Sequence, residues 1–320
     1  MDRLKLNTEL YKSLYLIRKS EEKIRKHYFD DEMKTPVHLS VGEEAIAAGV
    51  IHALRKQDQF FGTYRSHGIY LARTGETDKF FAELHGKGSG LARGKAGSMH
   101  LCAPEQGFLG ASAIVGSIIP VGIGAAFANK YTKSDKIVAV FFGDGATDEG
   151  VFWESINAAC LWKLPILFVC EDNKLAVFTK DKDRQGYKSL NEIVSKFEIN
   201  TFQEETTDVE KIYDIASVAI KSIKETGKPS FLILKYYRYL EHVGVNEDFD
   251  AGYRSKKEFK KWYEKDPIKI QRKKLLNLGV NELEIKKIEN AIDKKIISSY
   301  KKAQKADFPD SCELEDEVFG

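Results

Sequence analysis

Hydrophobic positions along this chain follow two periods, and the switch between them marks out the elements. Leu10, Leu14 and Ile17 recur at helical spacing among charged residues over 1–25, and the chain to about residue 56 reads as helices. Near the other end Ile285, Ile288, Ile292 and Ile296 keep that spacing inside a lysine-crowded stretch, 256–305. This predicts an amphipathic helix whose lysines face water rather than a docking surface. The centre differs. Short β-branched and aromatic runs at 136–142 (KIVAVFF), 164–170 (LPILFVC) and 230–237 (SFLILKYY) suit buried strands, with helical patterns between them at 148–162 and 209–225. A strand, a crossover helix and a second strand imply parallel pairing. The expected fold class is therefore α/β, an open, mostly parallel sheet flanked by helices, with N- and C-terminal helical extensions and ligands at the carboxyl ends of the strands. Residues 85–116 are glycine-rich and weakly periodic, too loop-like for an element interior, and suggest backbone wrapped closely around something.

Composition narrows the picture mainly by exclusion. With 320 residues and 42% hydrophobic content the chain can bury a large core. Fifty basic residues against 48 acidic ones give a net charge of +2, so no nucleic-acid or strongly acidic partner is called for. Cys102, Cys160, Cys170 and Cys312 are scattered without a CxxC pair, which fits neither a disulfide framework nor a zinc site and points to a reducing cytoplasm. The N-terminus lacks the apolar core of a signal peptide. The most apolar stretch, 114–128, is broken by Pro120 and too short for a membrane span, so no membrane association is expected.

The candidate chemistry sits at two strand ends. The first central strand ends in Gly143-Asp144-Gly145-Ala146-Thr147 and the next in Glu171-Asp172-Asn173. In a parallel sheet both ends lie on one edge, so Asp144 and Asn173 can converge. A carboxylate and an amide oxygen suit a hard cation such as magnesium, which also takes phosphate oxygens and water. The glycines allow backbone to approach a phosphate, and a following helix directs free N–H groups at an anion. In a dinucleotide fold the glycine turn meets pyrophosphate without metal, where an aspartate would repel the ligand. Asp148 also stands where the third glycine of that fingerprint belongs.

The pairing of Gly-Asp-Gly with Asn173, with 27 residues between Gly145 and Asn173, resembles the thiamine diphosphate fingerprint. Further segments, in order from about Leu10 to Phe319, are similar to the alpha subunit of the thiamine diphosphate-dependent 2-oxo acid dehydrogenase component of the pyruvate, branched-chain or acetoin type. They are His38-Leu39 with Gly42-Glu43-Glu44-Ala45, Tyr64-Arg65-Ser66-His67-Gly68, Gly94-Lys95-Ala96-Gly97-Ser98-Met99-His100, Ile114-Val115-Gly116, Leu161-Trp162-Lys163-Leu164-Pro165 and Tyr237-Arg238-Tyr239. The resemblance implies one thiamine diphosphate-binding unit over 1–320, with a helical part (1–56), a cofactor-binding core (57–240) and a C-terminal loop with helices (241–320).

It also implies roles. Asp144 and Asn173 would be side-chain ligands of magnesium, and Leu175 a carbonyl ligand at a place usually aromatic. Tyr64, Arg65, Arg238 and the backbone of Gly145 and Ala146 would bind the diphosphate, and the Val115 carbonyl the aminopyrimidine. Arginine suits this task because its fork donates paired hydrogen bonds to phosphate. His38 and His242 would be the active-site histidines, orienting substrate or moving protons, whereas His67 and His100 are less favoured for direct chemistry.

The expected activity is decarboxylation of a pyruvate-like 2-oxo acid with transfer of the acyl or hydroxyalkyl group. The chain resembles half of such an enzyme. A separate beta subunit would carry the glutamate that activates the pyrimidine, in an alpha2beta2 assembly, and a lipoyl acyltransferase is a further partner of this family. Three departures bear on the substrate. Leu240-Glu241-His242-Val243 replaces His-Gly-His-Ser, removing the serine that is phosphorylated in mitochondrial relatives; Glu241 adds negative charge; and Ala113 replaces a glycine. Three other functions remain open. A nicotinamide-dependent oxidoreductase has only the partial fingerprint Gly122-Ile123-Gly124, and a specialised carboligase or non-catalytic scaffold could retain the fold.

Overall fold

A computed structural model describes residues 2–314. Met1 and 315–320, including Phe319 where the motif series ends, lie outside the described residues. Helices α1 (Arg3–His27) and α2 (Glu44–Ala53) precede β1 (Gln59–Thr63), α3 (His67–Thr74), α4 (Asp78–Leu84) and β2 (Phe108–Ser112). Then come α5 (Ile118–Tyr131), β3 (Val138–Gly143), α6 (Gly150–Leu161) and β4 (Ile166–Asp172). A small hairpin, β5 (Leu175–Ala176) and β6 (Thr179–Lys180), leads to α7 (Leu190–Val194), β7 (Asn200–Glu205), α8 (Val209–Thr226) and β8 (Ser230–Lys235). Helices α9 (Lys256–Tyr263), α10 (Pro267–Asn277) and α11 (Glu282–Lys305) follow.

The main sheet has six strands in the order β2-β1-β3-β4-β8-β7, and each ladder in it is parallel. Its central strands are buried on both faces, which explains their unbroken apolar runs. Ala139, Phe141, Leu167, Val169, Leu232 and Leu234 face one core with α1, α2, α3 and α8. Val138, Val140, Phe142, Ile166, Phe168, Phe231 and Ile233 face the other with α5 and α6. Alternation at period two thus divides one set of strands between two apolar layers.

The structure differs from the sequence expectation in its strands, in the place of one glycine pair and in the start of one helix. β1, β2 and β7 are additional strands, and β2 lies inside the stretch taken as loop. The glycine pair Gly122 and Gly124 lies within α5 rather than in a strand-to-helix turn, and a Cβ on Gly122 would come within 2.2 Å of Val140 Cγ2. Its purpose is close helix-to-sheet packing, which removes the dinucleotide fingerprint. The helix after the Gly-Asp-Gly turn begins at Gly150, because a 3-10 turn over Asp144–Asp148 comes first. The Thr147 hydroxyl braces that turn by donating to the Asp144 carbonyl at 2.7 Å.

The terminal helices close the rear. In α11 Ile285 and Ile296 are buried, Ile288 and Ile292 pack partly buried, and the lysines are exposed. A capping box of Asn281 and Glu284 starts that helix. Among the described residues no helix is long and apolar enough to cross a membrane.

Candidate active site

The glycine-rich stretch does wrap around something: a side chain of the protein itself. Glu83, at the end of α4 and 1% exposed, accepts from Ala92 and Gly94 N–H at Oε2 (2.8 and 3.0 Å) and from Ala96 and Gly97 N–H at Oε1 (2.8 and 2.9 Å). Gly94 has φ +77°, and a Cβ there would strike the backbone of Gly86. Beyond it, Ser98 meets His67 Nε2 at 2.7 Å, and His67 Nδ1 lies 3.2 Å from Glu21 of α1. His67 is thus fully buried in a structural chain of polar contacts. His100 is exposed, with Nδ1 3.2 Å from the Ala111 carbonyl.

The strand ends build a cavity of about 300 Å³. Gly143 of β3 pairs with Glu171 of β4, so the segments that follow emerge side by side. Tyr64, Arg65, Val115, Asp144, Gly145, Ala146, Asn173, Leu175 and His242 line this one space, with Glu149, Glu171, Val177 and Tyr236. A Cβ on Gly145 would meet Ala176 at 3.1 Å, so glycine keeps the turn close to the hairpin. His38 lies beside the cavity, its ring 4.4 Å from that of Tyr64 and 5.3 Å from that of His242. Arg238 does not line the space but stands behind it, with Nη1 3.3 Å from His242 Nδ1.

Asp144 and Asn173 present oxygens from two directions. Asn173 donates Nδ2–H to the Tyr236 hydroxyl at 2.7 Å, which fixes its amide, while Oδ1 accepts from Leu175 N–H at 2.9 Å and keeps a second lone pair. Asp144 is 3% exposed; Asn173 N–H donates to its Oδ1 at 3.4 Å, and Arg184 donates to its Oδ2. Burial, helped by the charge of Asp172, pushes the Asp144 carboxyl up to about 7 against the pull of Arg184. Among the described residues no group of three or more His, Cys, Asp or Glu could hold a metal. The all-oxygen set of Asp144, Asn173 and the Leu175 carbonyl fits a hard cation that takes its other oxygens from phosphate and water.

The cavity also has a cation in its lining, Arg65, with Arg238 behind it. Arg65 donates to the Leu39 carbonyl (2.7 Å) and the His242 carbonyl (3.0 Å). Arg238 donates to the Leu240 carbonyl and the Tyr253 hydroxyl, both at 2.9 Å. Burial, then the neighbouring Arg65, holds Arg238 below the usual arginine range. Burial, and next Arg65, also depresses both histidines, His38 to about 2 and His242 to about 3, so each is neutral near pH 7. His242 Nδ1 stands 3.4 and 3.3 Å from guanidinium nitrogens of Arg65 and Arg238, which can only donate. Nδ1 therefore accepts, and the ring proton sits on Nε2.

Two carboxyls here were not assigned a role from the sequence. Glu43 and Glu171 are buried near Arg65 and Tyr236. Burial pushes Glu43 up to about 7 against the pull of Arg65, and burial with the charge of Glu43 raises Glu171 well above the carboxylate range. Glu43 lies in the segment Gly42-Glu43-Glu44-Ala45, yet nothing local marks it as a partner of Glu171. Glu241, expected to add charge at the site, accepts from Asn246 N–H at 2.8 Å and is tied to its own loop.

The chain matches the family model described as dehydrogenase E1 component over residues 12–312. It is 34% identical over 310 residues to the pyruvate dehydrogenase E1 component subunit alpha of Rickettsia felis, covering 97% of this chain and 94% of that one. The protein of the same name from Zymomonas mobilis is 35% identical over 96% of this chain and 86% of its own length. That from Porphyra purpurea is 31% identical, with 97% and 92% covered.

Proposed function

The chain belongs to the dehydrogenase E1 component family, and from that premise we propose that it is the alpha subunit of a thiamine diphosphate- and magnesium-dependent enzyme that decarboxylates a pyruvate-like 2-oxo acid. The observation that carries this reading is the shared cavity. Asp144 and Asn173 line it together with Arg65, which is backed by Arg238. A magnesium diphosphate carries both complementary charges.

When bound, thiamine diphosphate supplies a carbon nucleophile and an electron sink for loss of carbon dioxide. The chain's own residues have separate tasks. Asp144, Asn173 and the Leu175 carbonyl would hold magnesium; Tyr64, Arg65, Arg238 and the N–H groups of Gly145 and Ala146 would hold the diphosphate; the Val115 carbonyl would face the aminopyrimidine. His242, with its proton on Nε2, can donate a hydrogen bond to a substrate carboxylate or carbonyl without adding charge. His38, neutral and adjacent, can orient substrate in the same space through a hydrogen bond at a ring nitrogen.

A beta subunit completes the proposal, and the outer face of α5 supports it. Phe127 and Tyr131 of α5, with Leu161 at the end of α6 and Trp162 after it, surround a surface cavity of about 450 Å³, and Tyr131 and Leu161 are 80% and 73% exposed. Exposed Val121 and Ile114, and exposed Val115 at the cofactor cavity, add further apolar surface. Large apolar patches of this kind mark protein interfaces. A partner seated there would cover the apolar face and complete the cofactor site together, consistent with an alpha2beta2 assembly over one unit spanning 1–320. Acyl transfer to a lipoyl acyltransferase would follow.

The test is reconstitution with the candidate beta chain. Pyruvate decarboxylation should require both chains, magnesium and thiamine diphosphate; full activity from this chain alone would refute the two-subunit assignment. Unchanged assembled activity in Asp144→Ala would instead favour a scaffold role.

A further inference from the structure

The segment between β6 and α7 brings in Arg184, a residue outside every motif. Its Nη2 donates to Asp144 Oδ2 and its Nη1 to Asp148 Oδ2, with Nη1 also 3.5 Å from the Asp144 carbonyl. The Arg184 side chain is only 9% exposed. A full positive charge therefore lies on the carboxylate assigned above to magnesium. Arg184 holds Oδ2, while Oδ1 receives only the Asn173 N–H at 3.4 Å; a magnesium ion on either oxygen would sit close to the guanidinium, and repulsion between the two cations would offset part of what each gains from the carboxylate.

We propose that Arg184 is an exchangeable counter-ion of Asp144: it neutralises the carboxylate until magnesium arrives with the diphosphate, then withdraws to Asp148 alone. The proposal rests on the assignment of Asp144 as a metal ligand. Asp148 supplies the second resting place, since its side chain is 30% exposed and already accepts from the same guanidinium. The counter-ion and the carbonyl assigned to the metal also belong to one short segment. Asp181 N–H donates to the Lys174 carbonyl at 3.0 Å, joining the base of the β5–β6 hairpin, which carries Leu175, to the turn that carries Arg184. Within that hairpin Val177 has φ 55°, a left-handed conformation costly for a β-branched residue. Withdrawal of Arg184 would move a segment that already stores strain. Metal affinity is then set by competition with a built-in cation, so loading needs metal and diphosphate together.

The test uses the full chain and a paramagnetic probe, manganese(II), titrated in the presence of thiamine diphosphate and followed through the electron paramagnetic resonance signal of the free ion. Arg184→Gln should bind manganese with a half-saturation about tenfold below that of the wild type, the size of one charge-assisted hydrogen bond lost from the competing state. Arg184→Lys, which keeps the charge but not the fork, should fall between the two. Equal or weaker binding in both variants, with wild-type binding still dependent on Asp144, overturns the counter-ion role and leaves the metal assignment standing. Equal binding in wild type and Asp144→Asn overturns the metal assignment, and the counter-ion role with it.

Discussion

Glu83 and Asp144 are both carboxylates withdrawn from water in the same α/β frame, and the chain treats them in opposite ways. Glu83 is ringed by N–H groups of Ala92, Gly94, Ala96 and Gly97, and this folds a glycine-rich loop around it. Asp144 opens onto a cavity, receives one backbone N–H at 3.4 Å, and relies on the side chain of Arg184. A buried charge fully solvated by its own backbone has little left to offer a ligand. One that burial pushes up to about 7 retains a strong demand for positive charge. The contrast separates architecture from site within one molecule.

Isosteric neutralisation sharpens that contrast most. Glu83→Gln leaves an amide NH2 facing backbone donors, and denaturant unfolding should show a loss of about 3 kcal/mol or more. Asp144→Asn should change unfolding of the free chain by less than about 1 kcal/mol, since its charge is opposed by burial, as in exchanges that remove a poorly compensated group. Equal losses would end the distinction.

The cations at the cavity give the next effect. Arg238→Lys retains charge and loses the fork, so calorimetry should find thiamine diphosphate binding weaker by about tenfold or more. Unchanged affinity would place Arg238 in the loop architecture with Leu240 and Tyr253.

A smaller effect concerns pH. His38 and His242 are depressed in the folded chain, so between their folded values, about 2 and about 3, and the ordinary histidine value the unfolded chain binds more protons. Their contribution is fully present above about 6.5, the unfolded histidine value, and is lost as pH falls below it. Asp144, raised to about 7, has the opposite sign: its contribution is present below its unfolded value and lost as pH rises through about 7. Thermal unfolding of His242→Asn should therefore lose less stability than the wild type between pH 7 and 5. Parallel losses would mean that His242 is not held neutral by its surroundings.

How much was legible follows the same division. β3, α6, β4, α8 and β8 could be read because buried parallel strands leave apolar runs and amphipathic helices leave a period, as in KIVAVFF before Gly143. β1 (QFFGT), β2 (FLGAS) and β7 (NTFQEE) are short and carry glycine or polar residues, and their place is set by neighbours in the sheet rather than by their own pattern. At the cavity, Asp144 and Asn173 were readable because strand-end geometry brings a fixed sequence spacing together. Glu83, Glu171 and Arg184 were not. Their partners are backbone groups nine to fourteen residues on, a carboxyl on another element and a turn 40 residues back, and no local pattern encodes such meetings.

The central claim is that Asp144 and Asn173 hold the magnesium through which the diphosphate is bound. Calorimetric titration of thiamine diphosphate into the full chain, with magnesium present and then removed by chelation, tests it most directly. Binding should appear only with magnesium and should be lost in Asp144→Asn, with the free variant still folded by circular dichroism. Binding of equal strength without magnesium, or undiminished in Asp144→Asn, would contradict the account.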